Sequence, residues 1–294
     1  MDSTVVFQTV ILGVLLGGQY ALLASGLTLY FGVMRVVMLA HASFLVLAAY
    51  LAWWFTTSTG LDPMLSMAIT VPLFFGLGVV MQRILLSRLR PATLTMMSCL
   101  LTLAIALVVE GVLGFLFTGV QRRVQVGYGS AQLNFFGASI PVVKLVSFGL
   151  AVFGLAALYF ILMKSSFGRS LRATIQHKQA AQLVGINTDR VAGHGFGLGL
   201  ATAAVGGTAL ALDATIFPSL HWYWIGPLMA IIVVGGLGSV PGAAIAAMIL
   251  GIATSVLQIP MGATWAQTVF YLALFATLLF RPQGFFGGRL AQRF

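Results

Sequence analysis

Long apolar segments separated by short polar loops are the feature that most limits what this chain can fold into. Most of them reach the roughly 20 residues that an α-helix needs to cross about 30 Å of hydrocarbon. Eight such segments lie at 5–31, 36–55, 64–82, 93–118, 140–163, 191–212, 226–257 and 265–280. Only 7% of the residues are charged, against about 25% in an average soluble domain, so lipid must surround most of the chain. The pattern predicts an all-α fold, a polytopic transmembrane helix bundle.

No polar stretch is long enough to form a separate soluble domain. The longest interruptions are 119–139 and 164–190, and we therefore expect residues 1–294 to form a single transmembrane domain. The one cysteine, Cys99, lies within an apolar run, so no intrachain disulfide can form. Nothing in the sequence resembles a metal site, a catalytic triad or paired catalytic carboxylates, and we predict no cofactor.

The positive charges indicate how the chain lies in the membrane. A net charge of +10 does not indicate nucleic-acid binding here, because the cations form no basic stripe with interleaved aromatics. Loops rich in Lys and Arg stay in the cytoplasm. This predicts a plasma-membrane (bacterial inner-membrane) protein with its N-terminus outside and its C-terminus inside; Arg122 and Arg123 would then lie outside, against the trend. Eleven of the 15 cations lie in or beside three segments, namely Arg83, Arg88 and Arg90; Lys164, Arg169, Arg172, Lys178 and Arg190; and Arg281, Arg289 and Arg293.

The segment 226–257 must turn back on itself for this orientation to hold. As one straight helix it would be about 48 Å long, too long for the bilayer. Its middle, GGLGSVPG at 235–242, is rich in glycine, but no Lys-Ser/Thr pair follows as a phosphate-binding loop would require. We predict a broken or re-entrant hairpin whose hinge and packing residues are Gly235, Gly236, Gly238, Pro241 and Gly242.

Two other glycine pairs have the spacing that allows close helix packing. Gly13 and Gly17 form one pair, and Gly193 and Gly197 form the other. This spacing lets helix backbones approach each other closely in a membrane. Packing within the chain and dimerisation explain it equally well.

One polar stretch, LRATIQHKQAAQLVGINTDR at 171–190, stands apart from its apolar surroundings. It contains no Pro or Gly from Leu171 to Val184, which predicts one helix of about four turns with Ser170 as its N-cap. Gly185 follows where a helix ends in the left-handed conformation. Asn187 is then among the residues that can cap the next helix. The alternative is a solvated connecting loop.

The sequence QAAQLVGINTDRV resembles the cytoplasmic coupling loop of ABC-importer permeases. In that loop a Glu-Ala-Ala triplet is followed, after three residues, by a glycine. Here Gln179 stands in place of the acid, while Ala180, Ala181 and Gly185 match. The resemblance implies that the loop at 164–190 contacts an ATPase subunit.

Longer stretches narrow the resemblance to one family. GLTLYFGVMRVVMLAHASF (26–44), GRSLRATIQHKQAAQLVGINTDRV (168–191), VVGGLGSVPGAAIAAMILG (233–251) and LLFRPQGFFG (278–287) are similar to the branched-chain amino acid ABC transporter permeases, in order through nearly the whole chain. The resemblance implies a non-enzymatic membrane subunit that pairs with a second, homologous permease subunit. It further implies two cytoplasmic ABC ATPase subunits and an extracytoplasmic substrate-binding protein as partners.

The candidate translocation pathway departs from the family pattern. Members usually carry an Asn-Phe-Ala-His-Gly type run where this chain reads MLAHASF (38–44). Polar groups within spans usually face the bundle interior, so Met38, His41, Ser43 and Glu110 are the pathway candidates. His41 lies six residues past Arg35, about 9 Å into its span. His41 and Glu110 could each serve instead as a structural hydrogen-bonding group.

The departure bears on the solute. An apolar lining suits a small or partly apolar compound, because polar groups left unpaired in a dry channel cost free energy. We expect a branched-chain or related amino acid first, and urea, amides or aromatic or carboxylic acids as alternatives. An ion-coupled secondary transporter is the alternative of a different class, but it would need paired ionisable residues in the spans.

Overall fold

The computed structural model describes residues 3–34, 36–89, 94–135 and 138–286. Arg35, from which the depth of His41 was counted, and Arg90, Arg289 and Arg293, which entered the charge argument, lie outside these ranges. The polar interruption between the fourth and fifth apolar segments carries an antiparallel hairpin of β1 (Gln132–Phe135) and β2 (Ala138–Pro141), in which Gln132 lies opposite Pro141.

The described residues form eleven α-helices, so the predicted helix bundle is confirmed. In chain order they are α1 (Ser3–Met34), α2 (Ala40–Thr59), α3 (Met67–Ile84), α4 (Leu94–Phe117), α5 (Val142–Lys164), α6 (Ser166–Gln176), α7 (Lys178–Leu183), α8 (Thr188–Asp213), α9 (Leu220–Gly235), α10 (Val240–Ala266) and α11 (Thr268–Phe280). Seven of these are long and apolar enough to cross a membrane, and α9 and α11 are shorter apolar helices. The chain is therefore a multi-pass membrane protein.

Helices α1 and α8 lie at the centre, and small residues allow the others to approach them. A Cβ atom added to Gly17 would lie 2.8 Å from the Cα of Met248 in α10, and one added to Gly13 would lie 2.8 Å from the Cα of Ile252. A Cβ on Gly197 of α8 would lie 2.7 Å from the carbonyl oxygen of Phe75 in α3. The predicted glycine spacing thus serves packing within the chain at Gly13, Gly17 and Gly197.

The predicted break in the segment 226–257 is confirmed as the turn between α9 and α10. Gly236 and Gly238 adopt φ values of +99° and +84°, which side chains rarely tolerate. Ser239 caps α10 by accepting a hydrogen bond from the Gly242 N–H at 3.2 Å, and Pro241 lies in the first turn of α10. Gly235 packs directly on the backbone of Ala243.

The segment after α11 closes over this turn, a contact that the sequence did not predict. The Phe285 N–H donates to the Val234 carbonyl at 2.9 Å. Gly284 has φ +75°, and a Cβ there would lie 2.5 Å from the Cα of Gly236. The chain end of the described region therefore packs on the same turn that the glycines shape.

Two predicted boundaries are wrong. The polar stretch 171–184 is not one helix, because His177 adopts an extended conformation (φ −154°, ψ 96°) and separates α6 from α7. The N-cap of α6 is Ser165, which accepts from the Gly168 N–H, rather than Ser170.

We expect the turn between α9 and α10 to require glycine at position 238. Replacing Gly238 with alanine places a Cβ at φ +84° and 3.0 Å from the Cα of Gly32, and it should lower stability by about 1–2 kcal/mol. Gly76→Ala in α3 is the matched control, since a Cβ there meets nothing within 4 Å. Thermal unfolding of both variants in detergent measures the difference, and equal melting temperatures would show that the turn tolerates a side chain.

Candidate functional site

Helix α7 projects an apolar pair away from the spans. Leu183 is 89% exposed and Val184 is 77% exposed, although Lys178–Leu183 is a polar helix outside the long apolar segments. Gln179 and Ala180 are also exposed. Exposed apolar side chains grouped on a polar segment are typical of a surface that contacts another protein.

Ala181 does not share this surface. It is 3% exposed and packs inward, so the predicted set of Gln179, Ala180, Ala181 and Gly185 is only partly accessible. The Ala181 carbonyl accepts a hydrogen bond from the Ile186 N–H at 3.0 Å, which helps to close the corner after α7. Its small size serves the packing of the corner rather than contact with a partner.

Gly185 forms that corner in the conformation predicted for it. Its φ is +85°, the left-handed region, and a Cβ there would meet no atom within 4 Å. The glycine is therefore required by backbone conformation and not by crowding. Asn187 then caps α8, as predicted, by accepting from the Arg190 N–H at 3.0 Å.

Two side-chain contacts hold α7 against the start of α8. The Gln182 Nε2 donates to Thr188 Oγ1 at 3.0 Å. The Lys178 ammonium lies 3.9 Å from Asp189 Oδ1, but both side chains are largely exposed, and such a pair contributes little to stability. The Gln182 bond and the Gly185 corner fix how Leu183 and Val184 are presented.

His41 lies at the buried junction of α1, α2 and α8. Its Nε2 lies 2.9 Å from the Leu23 carbonyl, and since a carbonyl only accepts, Nε2 carries the proton. Its Nδ1 is then the acceptor for the Tyr30 hydroxyl at 3.4 Å. Both ring nitrogens of His41 therefore have a hydrogen-bond partner. Gly26 leaves room for the ring, since a Cβ at position 26 would lie 2.6 Å from His41 Cε1.

Met38 faces a different space from His41. It lines an apolar cavity of about 160 Å³ together with residues of α1, α9 and the turn after α9, among them Phe31, Met229 and Leu237. Ser43 is buried, and its hydroxyl has no hydrogen-bond partner among the described residues. Neither Ser43 nor His41 lines the Met38 cavity, whose lining is apolar throughout.

Glu110 lies at the far end of α4, beside the start of α9. Its Oε2 accepts from Trp222 Nε1 at 3.2 Å and lies 3.7 Å from Nε2 of His221. The His221 ring is fully buried, and its Nδ1 donates to the Pro218 carbonyl at 3.3 Å. The four predicted pathway residues thus occupy separate places, and Glu110 joins a cluster with Trp222 and His221 that the sequence did not reveal.

Arg122 holds together the loops at the end of the bundle where Glu110 lies. The Arg122 guanidinium lies 4.3 Å from the centre of the Trp53 ring, and the Arg122 backbone pairs with Ile216. A cation held on aromatic rings in this way is a local packing element. The contact with Trp53 gives a structural role to Arg122, which the charge pattern predicted to lie on the side with few cations.

Tyr128 links its loop to the loop that contains Asp62, at the same end of the bundle. Its hydroxyl donates to Asp62 Oδ2 at 2.9 Å. Burial, followed by this hydrogen bond and the negative charge of Asp62, raises the pKa of the Tyr128 phenol above its usual range. The hydroxyl therefore remains a donor throughout the physiological pH range.

The apolar helices, the glycine turn and the projecting helix α7 together define a polytopic membrane protein. The family model described as the branched-chain amino acid transport system / permease component matches residues 9–279. The chain belongs to this family, which confirms the resemblance seen in its sequence.

Curated relatives match nearly the full length. The probable branched-chain amino acid transport permease protein LivH of Methanocaldococcus jannaschii is 28% identical, over 90% of this chain and 88% of that protein. The high-affinity branched-chain amino acid transport system permease protein LivH of Escherichia coli K12 is 29% identical, over 94% and 93%. The high-affinity branched-chain amino acid transport system permease protein BraD of Pseudomonas aeruginosa is 24% identical, over 95% of each chain.

The contacts of Glu110 predict that it acts as a hydrogen-bond acceptor rather than as a charge. Glu110→Gln keeps an oxygen for the Trp222 N–H and should leave solute uptake and melting temperature close to wild type. Glu110→Leu removes the acceptor and should cost about 0.5–1.5 kcal/mol of stability. Uptake assays and thermal unfolding on both variants distinguish the roles, and lost uptake in a stable Glu110→Gln variant would mean that the charge itself is needed.

Proposed function

We propose that this chain is one of two membrane subunits of an ATP-driven importer. ATP is hydrolysed on separate cytoplasmic ABC ATPase subunits, and a binding protein delivers the solute from the other side. Membership of the permease family supports the transport role. The residues that would transmit the movement of the ATPase to the spans are on α7.

The observation that carries the proposal is the exposed pair Leu183 and Val184. Apolar side chains this exposed would be expected to lie within the membrane or against a protein. Neighbouring Lys178, Gln179 and Gln182 disfavour insertion into hydrocarbon, so a protein groove is the better environment. Gln179 and Ala180 border the pair, and Gly185 sets its direction. An ATPase surface that receives α7 would move the α5 and α8 spans to which α6 and α7 are joined.

The orientation of the chain follows from the same proposal. The basic end of α5, at Lys164, leads into α6 and α7, and Arg83 and Arg281 are at the ends of spans that reach the same side. Cytoplasmic loops are enriched in Lys and Arg. We therefore orient α7 towards the cytoplasm and the β1–β2 hairpin outwards, with the N-terminus outside and the C-terminus inside.

The solute is small and partly apolar. Branched-chain amino acids come first, because they appear in the names of the relatives, and urea, amides or aromatic or carboxylic acids follow. The cavity beside Met38, which is lined by apolar side chains alone, supports a path with few polar partners. A permissive path of this kind leaves selection to the binding protein, and its ligand specificity would separate these solutes.

Cysteine labelling tests the docking surface and the orientation together. Leu183→Cys and Gly127→Cys are made in a Cys99→Ser background; position 127 is exposed and a side chain there meets no atom within 4 Å. In inverted vesicles, a membrane-impermeant maleimide should label position 183 only after the co-purifying ABC ATPase is stripped away. Position 127 should label only in right-side-out vesicles.

The outcomes of this labelling separate the two claims. Equal labelling of position 183 with and without the ATPase would contradict docking on α7. Labelling of position 183 from outside would contradict the orientation. Absence of any co-purifying ATPase would contradict the importer itself.

A further inference from the structure

A cavity of about 1020 Å³ lies at the basic end of α5, next to the Met38 cavity, with which it shares Phe31 and Leu237 in its lining. It is bounded by the ends of α1 and α5, by α6, and by the turn and first residues of α10. Helices α5 and α10 each pack against α1 but share no substantial contact with each other. The cavity is therefore a lateral groove over α1, open between two spans.

The walls of the groove are apolar where they belong to the spans. Leu155 and Tyr159 of α5 face Val240 and Ala244 of α10, and Phe31 of α1 contributes to the lining. Tyr159 is more than half exposed, as expected for an aromatic residue near the membrane–water interface. Such walls suit a hydrocarbon chain rather than a hydrated solute.

One end of the groove is cationic. Arg172 and Gln176 of α6 line it, and the Arg172 guanidinium donates to the Leu162 carbonyl, which anchors it at the rim. An Arg side chain has five N–H donors, so others remain available. Within the described residues Arg172 forms no ion pair, and Lys164 and Arg169 lie exposed on the same stretch.

The size and the polarity of the groove select among occupants. Its volume is at the upper end of the roughly 300–1,000 Å³ of small-molecule pockets, larger than an amino acid needs. A free phosphate would use only the Arg172 end and leave the apolar walls empty. An amphipath with an anionic head and a hydrocarbon tail matches both ends at once.

We propose that this groove binds an anionic phospholipid of the leaflet at the basic end of α5. The phosphate contacts Arg172 and Gln176, and an acyl chain lies over α1 between Tyr159 and Ala244. Basic pockets between transmembrane helices on the cytoplasmic side are suited to such head groups. The bound lipid bridges α6 and the first residues of α10, which both line the groove.

The test compares lipids on the purified, delipidated protein in detergent. Phosphatidylglycerol should raise the melting temperature by several degrees more than phosphatidylcholine, and native mass spectrometry should retain one phosphatidylglycerol per chain. Arg172→Gln should abolish the difference between the lipids. Arg169→Gln, the same charge change one turn away on the exposed face, should preserve it.

A second variant tests the apolar end, independently of the Arg172–Leu162 bond. Ala244→Phe fills the groove between α5 and α10 and should reduce retention of phosphatidylglycerol by at least fivefold while leaving the protein monodisperse. Equal effects of the two lipids on the wild type, or equal losses in Arg172→Gln and Arg169→Gln, would overturn the proposal.

Two further results would replace the lipid with another occupant. An equal thermal shift with glycerol phosphate would identify a site for a free anion. Efficient cross-linking of Tyr159→Cys to a second membrane subunit would identify the groove as a protein interface. Either result contradicts a bound lipid.

Discussion

The close approach of α1 and α10 is the constraint on which the rest of the structure depends. Within a membrane, lipid tails are as apolar as leucine, so helices associate through close van der Waals packing instead of through exclusion of water. Gly17 and Gly251 bring the two backbones together near the middle of the helices, and a Cβ on Gly251 would lie 2.5 Å from the Cα of Gly17. Near the C-terminal end of α1, Gly32 meets Gly238 of the turn between α9 and α10. The turn between α9 and α10 is thus part of the same contact, because it allows α10 to run back along α1.

Small residues also allow close packing in the interior around α8. Gly78 of α3 approaches Gly197, and Gly199 lies against the Tyr30 ring. Tyr30 in turn meets His41, whose two nitrogens are occupied by the Leu23 carbonyl and the Tyr30 hydroxyl. The close packing therefore carries a buried hydrogen-bond group that stabilises the junction of three spans. It leaves little room there for an ion-coupling site.

The sequence was informative where a local signal determines the conformation. The apolar runs predicted the spans. The glycines predicted the turn at 236–238 and the corner at Gly185, and Asn187 was predicted as a cap. The separation of α6 from α7 at His177 carried no such signal, since neither Pro nor Gly marks it, and it depends on how α6 packs against α5 and α8. The inward packing of Ala181 is likewise a tertiary effect.

The site residues divide in the same way. The sequence identified His41 and Glu110 as unusual, but their partners Tyr30 and Trp222 are 11 and 112 residues away in the chain and could not be paired from spacing. The contact of Phe285 with Val234 and the groove at Arg172 also need the folded chain. By contrast, the exposed pair at Leu183 and Val184 lies within a stretch whose polarity had already separated it from the spans.

The central claim is that ATP hydrolysis on a partner drives this chain, and reconstituted transport tests it most directly. The chain and its co-purifying subunits are placed in proteoliposomes, and uptake of radiolabelled leucine is measured with the binding protein outside. The account predicts uptake only when ATP is present on the side that α7 faces, with no effect of collapsing proton or sodium gradients. Uptake that persists without ATP and follows an ion gradient would contradict it.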